Sequence, residues 1–267
     1  MATFDKMLIV GCGNMGGAML AGWLAAGLEA AHFEVLDPAL ERAPMGVALH
    51  RDAAQVGDHD CVLLGFKPQQ LGALAPGLQT LMGDGITVFS LLAGIETGML
   101  QQAFPSASAH VRVMPNLAAR IGKSPVILCG DGLGSAAREQ ALNLFGLLGT
   151  ATWLDDEALF DLVTALAGSG PGFVYRFIDA LSAAAQELGL PHQLAAELAV
   201  ATVEGSASLA AQADVDPGQL ADRVASPGGM TREGLNVLDN GNALKTLMVE
   251  TLRATRDKGA ELAEQAR

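Results

Sequence analysis

Aromatic side chains are scarce, at 4% of 267 residues, which disfavours the stacked-ring platforms used to grip single-stranded nucleic acid and leaves the core to aliphatic packing. Basic charge is also short. Sixteen Lys and Arg stand against 29 Asp and Glu, a formal net charge of -13, and that field repels phosphate backbones and anionic lipid headgroups, so no nucleic-acid partner is expected. The three cysteines, Cys12, Cys61 and Cys129, cannot all pair within one chain and form no CxxC, which fits a reduced, cytoplasmic protein. Five scattered histidines with no HxxxH or HExxH spacing give no metal site.

What the chain has in quantity is apolar residues, 50% of the total, and glycine, 32 residues. Met7 to Leu28 contains no charged residue and superficially suits a membrane span, but six glycines and Asn14 dilute it, and its pattern changes from β-rich to helical midway. No membrane partner is expected. Short β-rich runs (Met7 to Val10, His32 to Leu36, Cys61 to Phe66, Ile86 to Leu91, His110 to Met114, Val126 to Cys129, Ala151 to Leu154) alternate with helical stretches at Asn14 to Ala26, Pro68 to Met82, Glu96 to Phe104 and Ser135 to Leu148. This alternation predicts an α/β fold, a Rossmann-type doubly wound sheet. After about Asp155 the period is helical throughout. The expected division is therefore a dinucleotide-binding domain at 1–155 and an all-helical substrate-binding and dimerisation domain at 156–267. Val174, Phe177, Ile178, Leu181 and Leu188 share one helical face, and Leu244, Leu247, Met248, Leu252 and Leu262 another; both read as packed amphipathic helices. The Ala-rich stretch from Leu194 to Gln212 would leave apolar surface wet in a monomer, so a homodimer is expected to bury it.

Chemistry concentrates first at MLIVGCGNMGGAML. GxGxxG (Gly11, Gly13, Gly16) follows a strand and opens a helix. One glycine permits the tight turn, the next lets backbone N–H groups approach a pyrophosphate at the positive helix end, and the third lets helix and strand touch. Asp37, after the second strand, can accept from a ribose 2'-hydroxyl and repel a 2'-phosphate; it can equally cap the helix beginning at Pro38. Arg42 and Arg51 are available to a phosphate, which leaves NADP open beside NAD. Lys67 and Pro68 stand at a strand's carboxyl end, where such sheets bind ligands, though a solvated loop lysine is as ordinary there. GSGP (Gly168 to Pro171) interrupts two helical stretches, as a kink lining a cleft or as a simple turn. SPGG before Thr231 has the form of an anion cradle at a helix start, and also of an ordinary capped turn.

Six motifs in order, GCGNMG at Gly11, FKPQ at Phe66, LLAG at Leu91, RVMPN at Arg112, GSGP at Gly168 and SPGGMT at Ser226, resemble the pyrroline-5-carboxylate reductase family over nearly the whole chain. The resemblance implies reduction of 1-pyrroline-5-carboxylate, a small cyclic imine carboxylate, to L-proline by NAD(P)H, the last step of proline biosynthesis, in a dimer that often builds a higher ring of dimers. It implies cofactor contacts at Gly11, Cys12, Gly13, Asn14, Met15, Gly16, Lys67, Pro68, Ala93 and Gly94, substrate contacts at Ser226, Gly229, Met230 and Thr231, and a catalytic part for Thr231. Where the family more often reads MPNTP and SPGGTT, this chain has MPNLA and SPGGMT. An asparagine often placed at the adenosine ribose is Asp52 here, which with Asp37 tilts the coenzyme toward NAD.

The residues agree with that chemistry. A protonated cyclic imine already draws hydride, so no catalytic His, Cys or metal is needed; the protein must orient, anchor a carboxylate and exclude water. A β-hydroxyacid dehydrogenase would need a base that GFVYRFIDALSAA after GSGP does not supply, since it holds Arg176 but no Lys. A catalytically silent dinucleotide sensor would have no use for SPGGMT.

Overall fold

The computed structural model describes residues 4–44 and 46–266, with the side chains of Leu262, Gln265 and Ala266 outside the description. Eight strands form one sheet: β1 (Met7–Val10), β2 (Phe33–Leu36), β3 (Ala48–His50), β4 (Cys61–Leu64), β5 (Thr87–Ser90), β6 (Ala109–Met114), β7 (Ser124–Asp131) and β8 (Gly149–Trp153), in the order β3-β2-β1-β4-β5-β6-β7-β8. Every pairing is parallel except β6 with β7. Parallel neighbours need crossovers; those from β1 to β2, β4 to β5, β5 to β6 and β7 to β8 run through α1 (Asn14–Ala25), α2 (Leu71–Leu78), α3 (Thr97–Ala103) and α4 (Ser135–Gly146) respectively. The chain winds outward from β1 to β3, then returns to β4 on the other side of β1. The carboxyl ends of β1 and β4 therefore border the switch point, where open α/β sheets bind ligands.

The alternation of side chains along each strand sorts the interior into two layers. Met7 and Ile9 of β1 and Cys61 and Leu63 of β4 join a cluster with Met19, Leu20 and Trp23 of α1 and Phe145 of α4. Leu8, Val10, Val62 and Leu64 enter an aliphatic cluster on the opposite face with Leu71, Leu78, Leu100 and Phe104. The few rings are concentrated in the first layer: Trp23 stacks on Phe33 at 5.4 Å and meets Phe145 edge-on at 5.6 Å, and Phe89 meets Phe145 at 4.9 Å. The Trp23 indole N–H donates to the Leu144 carbonyl at 2.9 Å, which satisfies the one polar atom that burying this ring brings inside. The charge-free stretch from Met7 is thus a buried strand and a core helix.

Two elements differ from the sequence reading. The stretch Pro68 to Met82, expected as one helix, is a 3-10 turn (Pro68–Gln70), α2, and a second 3-10 turn (Gln79–Leu81), with Pro76 inside α2, where it lacks an N–H and weakens the ladder. Strand β3 has only three residues, and at least one edge-strand residue is exposed, too little alternation to announce itself.

Beyond β8 the chain is helical: a 3-10 turn at Glu157–Leu159, α5 (Phe160–Val163), a π-helical turn at Thr164–Gly168, α6 (Gly170–Glu187), α7 (His192–Gln212), α8 (Pro217–Val224), α9 (Met230–Asp239) and α10 (Ala243–Ala266). GSGP is accordingly the seam between the π turn and α6. The chain divides into two compact units, residues up to Ser169 together with those from Thr255, and Gly170–Ala254. In the second unit α6 and α7 pack together around Ser182, Ala195 and Ala199, and Arg232 of α9 pairs with Asp222 of α8 at 2.7 Å. The α6 face expected to pack stays open within the single chain, with Phe177 50% exposed and Leu188 88%, while Leu209 of α7, in the stretch expected to be left wet in a monomer, is 71% exposed. The runs Glu157–Glu187 and His192–Gln212 are long and apolar enough, by length and composition alone, to cross a membrane.

Candidate functional site

The Gly-rich turn joins the end of β1 to α1, and each of its glycines meets a different constraint. Gly11 has φ +83°, a left-handed conformation, and a Cβ there would lie 2.8 Å from the Phe66 backbone nitrogen. At Gly16 a Cβ would press the Gly11 carbonyl oxygen at 3.0 Å. Gly13 is different: nothing among the described residues lies within 4 Å of where its Cβ would be, so none of them requires its bareness. It is the N-cap of α1, it provides no side-chain cap, and the first turn holds no acidic residue. An exposed, uncapped set of helix N–H groups beside an empty glycine face is complementary to an anionic group that approaches the backbone closely. The cradle therefore fits a dinucleotide pyrophosphate.

Across the switch point, the end of β4 closes on this turn. The Gly65 N–H donates to the Val10 carbonyl at 2.8 Å, and a Cβ on Gly65 would stand 2.4 Å from the Gly11 oxygen. Gly65 is a site residue that the sequence reading placed inside a longer strand; a glycine in an otherwise branched apolar run, CVLLGF, was its signal.

Asp37 acts as a cap, but of a turn: no helix begins at Pro38. Its Oδ1 accepts from the Ala39 and Leu40 N–H groups at 2.9 and 3.2 Å, capping the turn after β2, while Oδ2 accepts from the Cys12 N–H at 2.9 Å. Its carboxylate is thereby fixed between the Gly-rich turn and β2. Asp52 caps the next short turn through Ala54 at 3.0 Å. Arg51 donates to the Pro38 and Leu40 carbonyls at 2.7 and 2.6 Å, so its guanidinium serves this turn's backbone. Gly11, Gly13, Asp37, Arg51, Asp52 and Lys67 line one cavity of about 700 Å³. Burial, aided by the Asp37 carboxylate, pushes the Cys12 thiol up to about 11; it stays protonated at neutral pH and acts as a small apolar group. Asn14 is exposed and Met15 packs against the aromatic core layer.

Pro68 begins the 3-10 turn after β4, and Ala93 and Gly94 (φ +75°) form the loop after β5. Pro68 and Ala93 border a second cavity, about 1210 Å³, between α2 and α3. No group of three His, Cys, Asp or Glu among the described residues is arranged to hold a metal ion.

In the second unit, Ser226 to Gly229 make a tight turn in which the Gly229 N–H donates to the Ser226 carbonyl at 2.9 Å and Gly228 has φ +70°. A Cβ on Gly229 would collide with the Ser226 hydroxyl at 2.6 Å. Gly229 is the N-cap of α9 and brings no side-chain cap, so neither Ser226 nor Thr231 occupies the capping position. Met230 is 94% exposed and Thr231 is also exposed.

Residues 157–262 match the family model for pyrroline-5-carboxylate reductase dimerisation. A pyrroline-5-carboxylate reductase from Pseudomonas aeruginosa is 34% identical over 97% of both chains. The chain belongs to the pyrroline-5-carboxylate reductase family. It is an NAD(P)H-dependent oxidoreductase by that membership. Among solved pyrroline-5-carboxylate reductases, the Coxiella burnetii structure superposes with a TM-score of 0.90 at 28% identity, covering 97% of this chain and 99% of that one. The Plasmodium falciparum structure, with NADP bound, gives 0.83 at 25% identity, covering 97% and 98%. The expected family, the parallel sheet and the helical region after it are therefore borne out.

Because Gly13 faces open space, Gly13→Ala in this reductase is expected to keep its melting temperature within about 1 °C and to weaken dinucleotide binding by roughly tenfold or more, since a methyl group there meets only the ligand. Calorimetric titration with NADH and a thermal melt of the same protein check both halves.

Proposed function

We propose that this chain reduces 1-pyrroline-5-carboxylate to L-proline in the cytoplasm as the last step of proline biosynthesis, with NADH favoured over NADPH, and that it works as a homodimer able to assemble into a ring of dimers. The observation that carries the reading is the coexistence, in a chain similar to such reductases along its length, of an open dinucleotide cradle at Gly13 and an uncapped Gly-rich helix start at Gly229.

The bound nicotinamide supplies a hydride. The chain's own residues do the rest. Backbone N–H groups of the turn at Ser226 to Thr231, with the Ser226 hydroxyl, anchor the substrate carboxylate, because an uncapped helix start favours an anion. Thr231 hydrogen-bonds the ring nitrogen, accepting from the protonated imine and donating to the product amine. The Met230 backbone N–H, at the first position of α9, joins that anchor. Gly11 to Gly16, Lys67, Pro68, Ala93 and Gly94 hold the coenzyme, and the Asp37 and Asp52 carboxylates support the NADH preference by disfavouring a 2'-phosphate. The domain division proposed for these tasks is 1–155 for the coenzyme and 156–267 for substrate and dimerisation. The broad apolar faces of α6, α7 and α9, with Val237 73% exposed, support a second copy of the chain as their cover rather than lipid: Arg176, Asp179, Arg232 and Glu233 interrupt those helices with exposed or partly exposed charge.

Comparing NADH and NADPH oxidation with pyrroline-5-carboxylate tests the activity, and no turnover with either coenzyme would overturn it. Asp37→Ser with Asp52→Asn keeps a capping side chain at both turns while removing both charges; the ratio of kcat/KM for NADPH to that for NADH is expected to rise about tenfold or more. Thr231→Ala is expected to lower kcat by about one to two orders of magnitude with the NADH Kd nearly unchanged, read by steady-state kinetics beside calorimetry.

A further inference from the structure

The β6 strand, AHVRVM, places a charge in the middle of an otherwise apolar run, and Arg112 is indeed buried, at 4% exposure. Its Nη1 donates to Glu157 Oε1 at 2.8 Å, and the guanidinium lies over the Phe160 ring at 3.8 Å. Its Nε is buried with no hydrogen-bond partner among the described residues. Removing such a charge from water is costly, and a well-packed apolar pair would often serve stability equally well. What the pair accomplishes is visible at the other donors on the same oxygen. Glu157 Oε1 also accepts from the Thr97 N–H at 2.9 Å and the Thr97 hydroxyl at 3.0 Å.

Thr97 is the first residue of α3, and Glu96 at the N-cap supplies no side-chain cap. The carboxylate that closes this helix start thus comes from far along the chain, at the beginning of the region that matches the dimerisation family. Burial raises the Glu157 carboxyl while the bonds from Thr97 and Arg112 lower it and prevail, so it sits below its ordinary range. Immediately before Thr97 runs the loop with Ala93 and Gly94. The strand order decides what that loop faces. With the pyrophosphate cradle at β1 and Asp37 at β2 marking the adenosine side, the other half of a dinucleotide extends over the ends of β4 and β5.

We propose that Glu157, held by Arg112, is a positioning residue for the nicotinamide half of the coenzyme: it pins Thr97 and so fixes the Ala93–Gly94 loop. This rests on the reductase reading above. The test is calorimetric binding of NADH and of ADP-ribose, which lacks the nicotinamide, to wild-type protein and to Glu157→Ala and Glu157→Gln. Loss of a helix cap is comparable to a tenfold change, so in Glu157→Ala the Kd for NADH is expected to rise about tenfold, with that for ADP-ribose within about twofold; Glu157→Gln, which retains an acceptor for Thr97, is expected to recover most of the loss. Should Glu157→Ala not fold, Glu157→Asp takes its place, its carboxylate one methylene short of Thr97, with at least about a threefold rise for NADH alone. Equal weakening of both ligands, or no weakening of either, overturns the proposal. Absence of pyrroline-5-carboxylate turnover by the wild type would instead overturn the function and leave the binding comparison to stand.

Discussion

The site depends on how closely two pieces of backbone approach at the switch point of the sheet. The Gly11 oxygen lies where a Cβ on Gly65 would be 2.4 Å away, and a Cβ on Gly11 would reach the Phe66 nitrogen at 2.8 Å. Any side chain at either position would push β1 and β4 apart, and with them the α1 terminus that faces the ligand. The two apolar layers on either face of the sheet clamp this approach: α1, with Trp23, on one side and α2, with Leu71 and Leu78, on the other. Aliphatic packing there holds polar backbone groups in a geometry they would not keep alone.

Around that point the carboxylates serve the architecture before any ligand. Asp37 joins the Gly-rich turn to β2, Asp52 caps the neighbouring turn, and Glu157 closes α3 from sixty residues away in the sequence. In a chain with net charge -13, acidic groups lie ready to satisfy backbone donors at helix and turn starts, where the local dipole favours them. Arg51 is used in the complementary way, its donors spent on backbone carbonyls. The helical unit follows another rule. Its α6 and α7 bury small residues between them and leave large ones outside, the composition of a fold completed by dimerisation.

Much of this is legible in the sequence. The strands at Met7, Cys61 and His110, the helix after GxGxxG, the change to helical period near Asp155 and the family itself followed from periodicity and motif order. The Pro68 to Met82 segment misled because periodicity ignores a proline that interrupts the ladder, and β3 escaped because three residues carry no period. The orientation of the apolar stripes on α6 was visible, but a stripe does not say whether its cover lies in the same chain. Gly65 was hidden inside an apolar run, and the link from Glu157 to Thr97 had no local signature.

By itself the sequence determined the identities that local rules govern: which residues alternate, where glycine permits a turn, and which chemistry the ordered motifs belong to. Tertiary structure alone decided that Gly13, rather than Gly11 or Gly16, presents an open face, that Asp37 braces the turn as well as capping its own, and that one carboxylate serves Thr97 and Arg112 together. Those facts depend on distances between segments remote in the chain, set by which strands lie side by side, and no window of sequence encodes such a distance.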